Sequence, residues 1–112
     1  MSPLSFLLNS RKRLSVLAKR YRSLGQDLEA LVDSLRENPI QGVDLGYGLR
    51  KLRMAISSKG KGKSGGARVI THTFIWEELK GVIKLLAIYD KSECDSIPDS
   101  ELRELMRRNG LL

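Results

Sequence analysis

Apolar residues recur along the chain at Leu14, Leu17, Tyr21 and Leu24 with Arg and Lys between them, the stripe of an amphipathic helix from Ser10 to Leu24. A second helix is predicted from Ser23, whose hydroxyl and Gln26 three residues on make a capping box. Leu28, Leu31, Val32 and Leu35 supply its buried face, and Asn38-Pro39 ends it because proline disfavours helical backbone in the residue before it. After a Gly-rich turn from Gly42 to Gly48 the period drops to two. Leu52, Met54 and Ile56 alternate with Lys51, Arg53 and Ala55, which predicts a strand with one packed face and one open face where Lys51 and Arg53 stand side by side.

Ser57 to Gly66 holds four glycines and no apolar residue and is expected to be a mobile connector. Ala67 to Trp76 is rich in β-branched and aromatic residues and predicts a second strand, followed by a turn over Glu77 to Gly81. Val82 to Tyr89 is almost wholly apolar, as expected of a central strand covered on both faces. Ser96-Ile-Pro-Asp99 is expected to cap a last helix with Leu102, Leu105 and Met106 as its stripe and Gly110 as its left-handed end. Leu4 to Leu8 is expected to add an edge strand. The sum is one α+β domain over residues 1–112: two N-terminal helices, a three-stranded antiparallel meander and a C-terminal helix.

Charge changes the picture more than composition does. The chain carries 20 Lys plus Arg against 13 Asp plus Glu. Between Asp44 and Glu77 no acidic residue occurs, while Arg50, Lys51, Arg53, Lys59, Lys61, Lys63 and Arg68 do. These seven cations equal the whole net charge of +7, so the excess is concentrated, which is the footprint of a polyanion site rather than of a solubilising surface. The single Cys94 and single His72 supply neither a disulfide nor a zinc site. The apolar runs fall far short of the roughly 20 residues that span a bilayer. The first residues lack the basic start and small-residue cleavage site of a secretory signal. A cytoplasmic protein with no membrane partner is expected.

Several chemistries are excluded by spacing. Gly60, Gly62, Lys63 and Ser64 lack the four-residue gap between glycines of a phosphate-binding P-loop, and a strand rather than a helix follows. Cys94 lacks the partners of a nucleophile. The few aromatics do not form the stacking platform of a generic single-strand binder. An acid-free patch does not suit two-metal phosphodiester cleavage, and no cofactor or metal is expected. Metal-free cleavage of RNA remains open, because the 2′-hydroxyl of the substrate is itself the nucleophile. Arginine suits the phosphorane by its fork, and a lysine depressed in pKa by neighbouring cations suits proton transfer. Lys51, Arg53 and Arg68 would converge if their strands pair as a hairpin, and Tyr89 and Lys91, closing the last strand, would reach the same face. His72 shares the parity of Arg68.

Gly48-Leu-Arg-Lys-Leu-Arg-Met-Ala55, the segment Ser-Lys-Gly-Lys-Gly-Lys-Ser-Gly-Gly-Ala-Arg-Val-Ile70, and Leu85-Leu-Ala-Ile-Tyr-Asp-Lys-Ser-Glu93 resemble the signature blocks of the RelE superfamily, in particular its HigB-like toxins. The resemblance implies a RelE-like α+β toxin of a type II toxin–antitoxin pair, a ribosome-dependent, metal-independent endoribonuclease of bacterial cytoplasm. It would cut mRNA in the ribosomal A site and so arrest translation. Its partners would be mRNA, ribosomal RNA and a HigA-like antitoxin with a helix-turn-helix. The family's catalytic cations match Lys51, Arg53 and Arg68, and Lys91 and Tyr89 match groups near the end of its last strand. Arg50, Lys59, Lys61, Lys63 and His72 would then hold RNA or ribosome. Where relatives carry a tyrosine before the last helix this chain has Cys94-Asp95-Ser96. The acid–base work is therefore expected of Lys51 with Arg53, or of His72 or Tyr89. The same resemblance also allows a non-catalytic relative that only binds rRNA or an antitoxin.

Overall fold

The structure, a computed structural model, describes residues 10–60, 62, 65–77, 80–93 and 97–111. Two helices, α1 (Ser10–Arg20) and α2 (Leu24–Glu37), precede four strands, β1 (Val43–Gly46), β2 (Leu49–Met54), β3 (Ala67–Glu77) and β4 (Lys80–Asp90), and a helix α3 (Asp99–Arg108) follows. The strands form one antiparallel sheet in the order β1-β2-β3-β4. This is an α+β architecture with a helical layer on each side of the sheet.

The alternation in β2 decides what lies on each face. Leu52 and Met54 point to the side where Leu17, Leu24, Leu31 and Leu35 of α1 and α2 pack with Ala67, Val69 and Ile88. Leu49 points the other way, into a second cluster with Ile70, Ala87 and Tyr89 under Leu102, Leu105 and Met106 of α3. Lys51 and Arg53 share the parity of Leu49 and therefore stand on the α3 face, beyond the part that Leu49 and Ile70 occupy.

Four expectations change in the structure. The Gly42–Gly48 turn contains a strand, β1, paired through Val43↔Lys51 and Asp44↔Arg50. Its residues are mostly exposed; Val43 and Leu45 alternate with Asp44 and Gly46, but over four residues between glycines that alternation is too short to separate a strand from a turn, and only Leu45 packs against the core. β4 is not central: among the described residues it ends the sheet. Its covering comes from helices on both sides, complete over Leu86 to Tyr89 and partial at Ile83, while Val82 and Leu85 are exposed. A register shift lies between Ile70 and Thr71, where Ile70 pairs with Ala87 but Thr71 with Leu85. Leu86 is thus the extra residue of a bulge, which explains an apolar run without period two. Ser23 does not cap α2. Its backbone is helical and its hydroxyl donates to Asp27 Oδ2 at 2.8 Å. α3 starts at Asp99 with Pro98 as the flanking residue; Ser96, and the Leu4–Leu8 strand, lie outside the described residues. The far end of α3 follows the sequence. Gly110 has φ +71°, and the Leu111 N–H donates to the Met106 carbonyl at 2.8 Å, closing the helix in the left-handed manner.

The Lys/Gly connector is anchored where its beginning and end are described. Ser57–Lys59 is a 3₁₀ turn. Asp27 Oδ1 accepts from the Ser57 hydroxyl at 2.6 Å and Asp27 Oδ2 from the Ser57 N–H at 2.9 Å. Lys59 Nζ donates to Asp90 Oδ1 at 2.8 Å and to the Gly65 carbonyl at 2.8 Å. At the other end Gly66 runs against β2 so closely that a Cβ there would sit 2.1 Å from the Met54 carbonyl oxygen. The connector is thus fastened to α2 at its start and to the sheet at its end.

Candidate nucleic-acid interface

Strand register assembles the site. Arg53 of β2 is directly opposite Arg68 of β3, which is directly opposite Tyr89 of β4. Directly opposed residues share a face, with Cβ atoms about 5 Å apart. Lys51 is one step along the same face of β2, about 7 Å from Arg53, opposite Ile70. The structure therefore brings Lys51, Arg53, Arg68 and Tyr89 to one patch at the connector end of the sheet. Lys91 follows at the same end, its N–H donating to the Gly66 carbonyl at 3.1 Å, with its side chain exposed.

The members differ in access. Arg53 is exposed and Lys51 half-buried. Arg68 is only 7% exposed, with one guanidinium nitrogen donating to the Ala67 carbonyl at 3.2 Å. Tyr89 is fully buried. Two arginines directly opposite each other repel, and a guanidinium held inside the sheet surface carries little of its hydration. Such an arrangement rewards an anion placed over both forks. None of the described sheet residues on this face is acidic; His72 and Lys84, another opposed pair, extend its basic character toward the far end.

Three other expected residues are placed elsewhere. Arg50 has the parity of Leu52 and lies on the opposite face, where it meets Asp44 at 3.9 Å and the Gly42 carbonyl at 3.4 Å. Lys59, expected in a mobile loop as a phosphate-following cation, is a tether on that opposite face: its ammonium pairs with Asp90 and lies 5.5 Å from the centre of the Tyr21 ring. His72 is half-buried on the α3 face beside Leu49, two residues along β3 from Ile70. Lys61 and Lys63 lie outside the described residues.

Behind the patch sits a buried carboxylate that the sequence reading passed over. Asp90, fully buried, accepts from Tyr21 Oη at 2.5 Å, Lys59 Nζ at 2.8 Å, Ser92 N at 3.0 Å and the Ser92 hydroxyl at 2.9 Å. Burial alone would raise its pKa, but Lys59 first, then Tyr21 and Ser92, outweigh it and hold the carboxyl well below the usual range. Asp27 is treated the same way more mildly: burial raises it, and the bonds from Ser57 and Ser23 bring it below the ordinary value. The signal for Asp90 was available as an acid at the end of an apolar strand, but its partners Tyr21 and Lys59 are 69 and 31 residues away, beyond any local pattern.

A second basic stretch also escaped notice, because acids elsewhere cancel it in the total. Residues 1–26 contain no Asp or Glu but hold Arg11, Lys12, Arg13, Lys19, Arg20 and Arg22. Lys19, Arg20 and Arg22 are exposed at the end of α1, on the helical layer away from Lys51 and Arg53. No protein-family model matches the chain.

Proposed function

We propose that the chain is a RelE-like toxin of the HigB branch, a metal-independent endoribonuclease that cuts mRNA in the ribosomal A site and is neutralised by an antitoxin in a bacterial cytoplasm. The observation that carries this reading is the opposed pair Arg53 and Arg68 with Lys51 one step away, on a sheet face with no acid among its described residues. The order of two helices, antiparallel sheet and last helix agrees with it. In the reaction the 2′-oxygen loses its proton and attacks phosphorus, the bond to the 5′-oxygen breaks, and that oxygen leaves with a proton. Arg53 and Arg68 share the added negative charge on the phosphorane, Arg68 the more effectively because it is already desolvated and held. Lys51, one step along β2 from Arg53, is the group nearest this pair that can exchange protons. Concentrated positive charge would repel a divalent ion from the same spot.

A second reading, a non-catalytic relative that only binds rRNA or antitoxin, draws on the complete burial of Tyr89, which keeps that phenol from acting as a base. Controlled expression separates the two. Catalysis predicts that inducing the chain stops protein synthesis with new mRNA ends, and that Arg68→Ala relieves the arrest while its circular dichroism and unfolding midpoint stay native-like. Arrest without new ends supports the binding reading.

A further inference from the structure

The tip of the β1–β2 hairpin carries a feature that the patch does not use. Gly46, Tyr47 and Gly48 have φ of +86°, +57° and +80° in succession, and Tyr47 is the one non-glycine among the described residues with positive φ. Bulky side chains rarely occupy this conformation, and asparagine or glycine would fit the turn with less strain. The turn lifts the Tyr47 ring to 71% exposure, so packing does not account for the tyrosine. Tyr47 borders a cavity of about 260 Å³ lined also by Ile40, Asp44, Arg50, Thr73 and the two glycines. Ile40, 49% exposed, supplies a second apolar wall.

Two charged groups of this cavity, an acceptor and a donor, stand side by side. Asp44 Oδ1 accepts from the Gly46 N–H at 2.7 Å, which fixes the carboxylate, while Oδ2 stands 3.9 Å from Arg50, too far for a hydrogen bond. Both groups retain capacity for a ligand. An aromatic face to stack on, an aliphatic wall, a carboxylate that takes two N–H donors and a guanidinium that gives to oxygen or ring nitrogen complement one nucleobase best. Guanine offers N1–H and the N2 amino group to the carboxylate and O6 with N7 to the arginine. Adenine would set its acceptor N1 against the carboxylate, and pyrimidines offer less stacking area.

We infer that Tyr47, Asp44 and Arg50 form a guanine-binding site at the hairpin tip, taking the base from single-stranded RNA or from a free guanine nucleotide. The site is on the opposite face of the sheet from Lys51 and Arg53, and the two faces meet at this turn. His72 Nε2, on the Lys51 side, lies 3.0 Å from where a Cβ of Gly48 would be, so a strand leaving the patch along β2 can pass round Gly48 to the cavity. The inference goes beyond cleavage and does not require it.

The test measures binding of 2′-O-methyl hexanucleotides, five uridines with one central guanosine or adenosine, and of hexauridylate, to the full chain by fluorescence anisotropy, with GMP and AMP followed by the NMR signals of Tyr47. The guanosine oligomer is expected to bind about tenfold tighter than the other two, the loss of one stacked and hydrogen-bonded base being worth that much. Tyr47→Ala and Asp44→Asn should each abolish the preference and Tyr47→Phe should keep it, with hexauridylate binding unchanged in all three. GMP shifting Tyr47 where AMP does not supports the free nucleotide as ligand; discrimination by the oligomers alone supports RNA. Equal affinity for the three oligomers, together with no difference between GMP and AMP, overturns the site while leaving the cationic patch intact. Failure of that patch shows separately, as loss of hexauridylate binding.

Discussion

That Arg68 and Arg53 are neighbours was legible because a strand of alternating parity and a following strand with one arginine fit a hairpin, and antiparallel pairing brings them to the same row. Their unequal burial was not legible, since it depends on how far Tyr89 and α3 extend over the sheet. The inequality sets the expected mutational order. Removing Arg68, the held guanidinium, should lower the cleavage rate by about 10² to 10³, and Arg68→Lys should recover little because a point charge lacks the planar fork. Arg53→Ala should cost less, its side chain being free to solvent in both states. Single-turnover rates on programmed ribosomes check the order. Asp90 sets a stability expectation. Its native pKa is depressed, so its stabilisation is complete above the unfolded value of about 3.9 and fades as pH falls below it. Asp90→Asn leaves the Lys59 ammonium short of a partner and should cost about 3 kcal/mol at neutral pH. Urea midpoints should drop between pH 5 and pH 3 in the parent chain and drop less in Asp90→Asn.

At the scale of elements, what was read correctly from the sequence had an amphipathic signature: α2 by Leu31 and Leu35, β2 by Leu52 and Met54, α3 by Leu102 and Met106. What was missed had a short or broken one. β1 is four largely exposed residues in which only Val43 and Leu45 alternate, and the bulge at Leu86 turns a two-residue period into an unbroken apolar run. The connector was read as mobile from its glycines and lysines, yet Asp27, Asp90 and the contact at Gly66 fasten it through residues distant in sequence. Gly66→Ala tests that fastening. The added methyl meets the Met54 carbonyl and forces the strand outward, which should destabilise the fold by about 2 kcal/mol and raise proteolytic nicking within the connector, as thermal unfolding and limited digestion would show. An unchanged midpoint would mean that the two segments separate without cost.

For the whole molecule the net charge of +7 conceals a layered distribution. One sheet face bears Lys51, Arg53 and Arg68, the α1 layer bears Lys19, Arg20 and Arg22, and Arg50 and Lys59 lie on the opposite face beside Asp44 and Asp90. The sequence concentrates seven cations between Asp44 and Glu77; the structure sets two of them, Arg50 and Lys59, on the face away from Lys51 and Arg53. Binding of single-stranded RNA should therefore weaken about a hundredfold between 50 and 200 mM salt, as five neutralised phosphates require, and a thousandfold loss would mean that other cations join in. Sulfate should raise the thermal midpoint of the free protein by occupying the Arg53–Arg68 row, and raise it less in Arg68→Ala.

In the proposed reaction Arg53, Arg68 and Lys51 promote attack by the substrate's own 2′-hydroxyl, with the ribosome holding the mRNA near in-line geometry, positioning that can supply about 7 to 11 kcal/mol. Primer extension with end-group analysis, on mRNA with and without ribosomes and each with and without EDTA, tests it most directly. Cleavage is expected only on ribosomes, undiminished by EDTA, leaving a 2′,3′-cyclic or 3′-phosphate and a 5′-hydroxyl. Rapid cutting of naked RNA that stops in EDTA and leaves 5′-phosphates would contradict it.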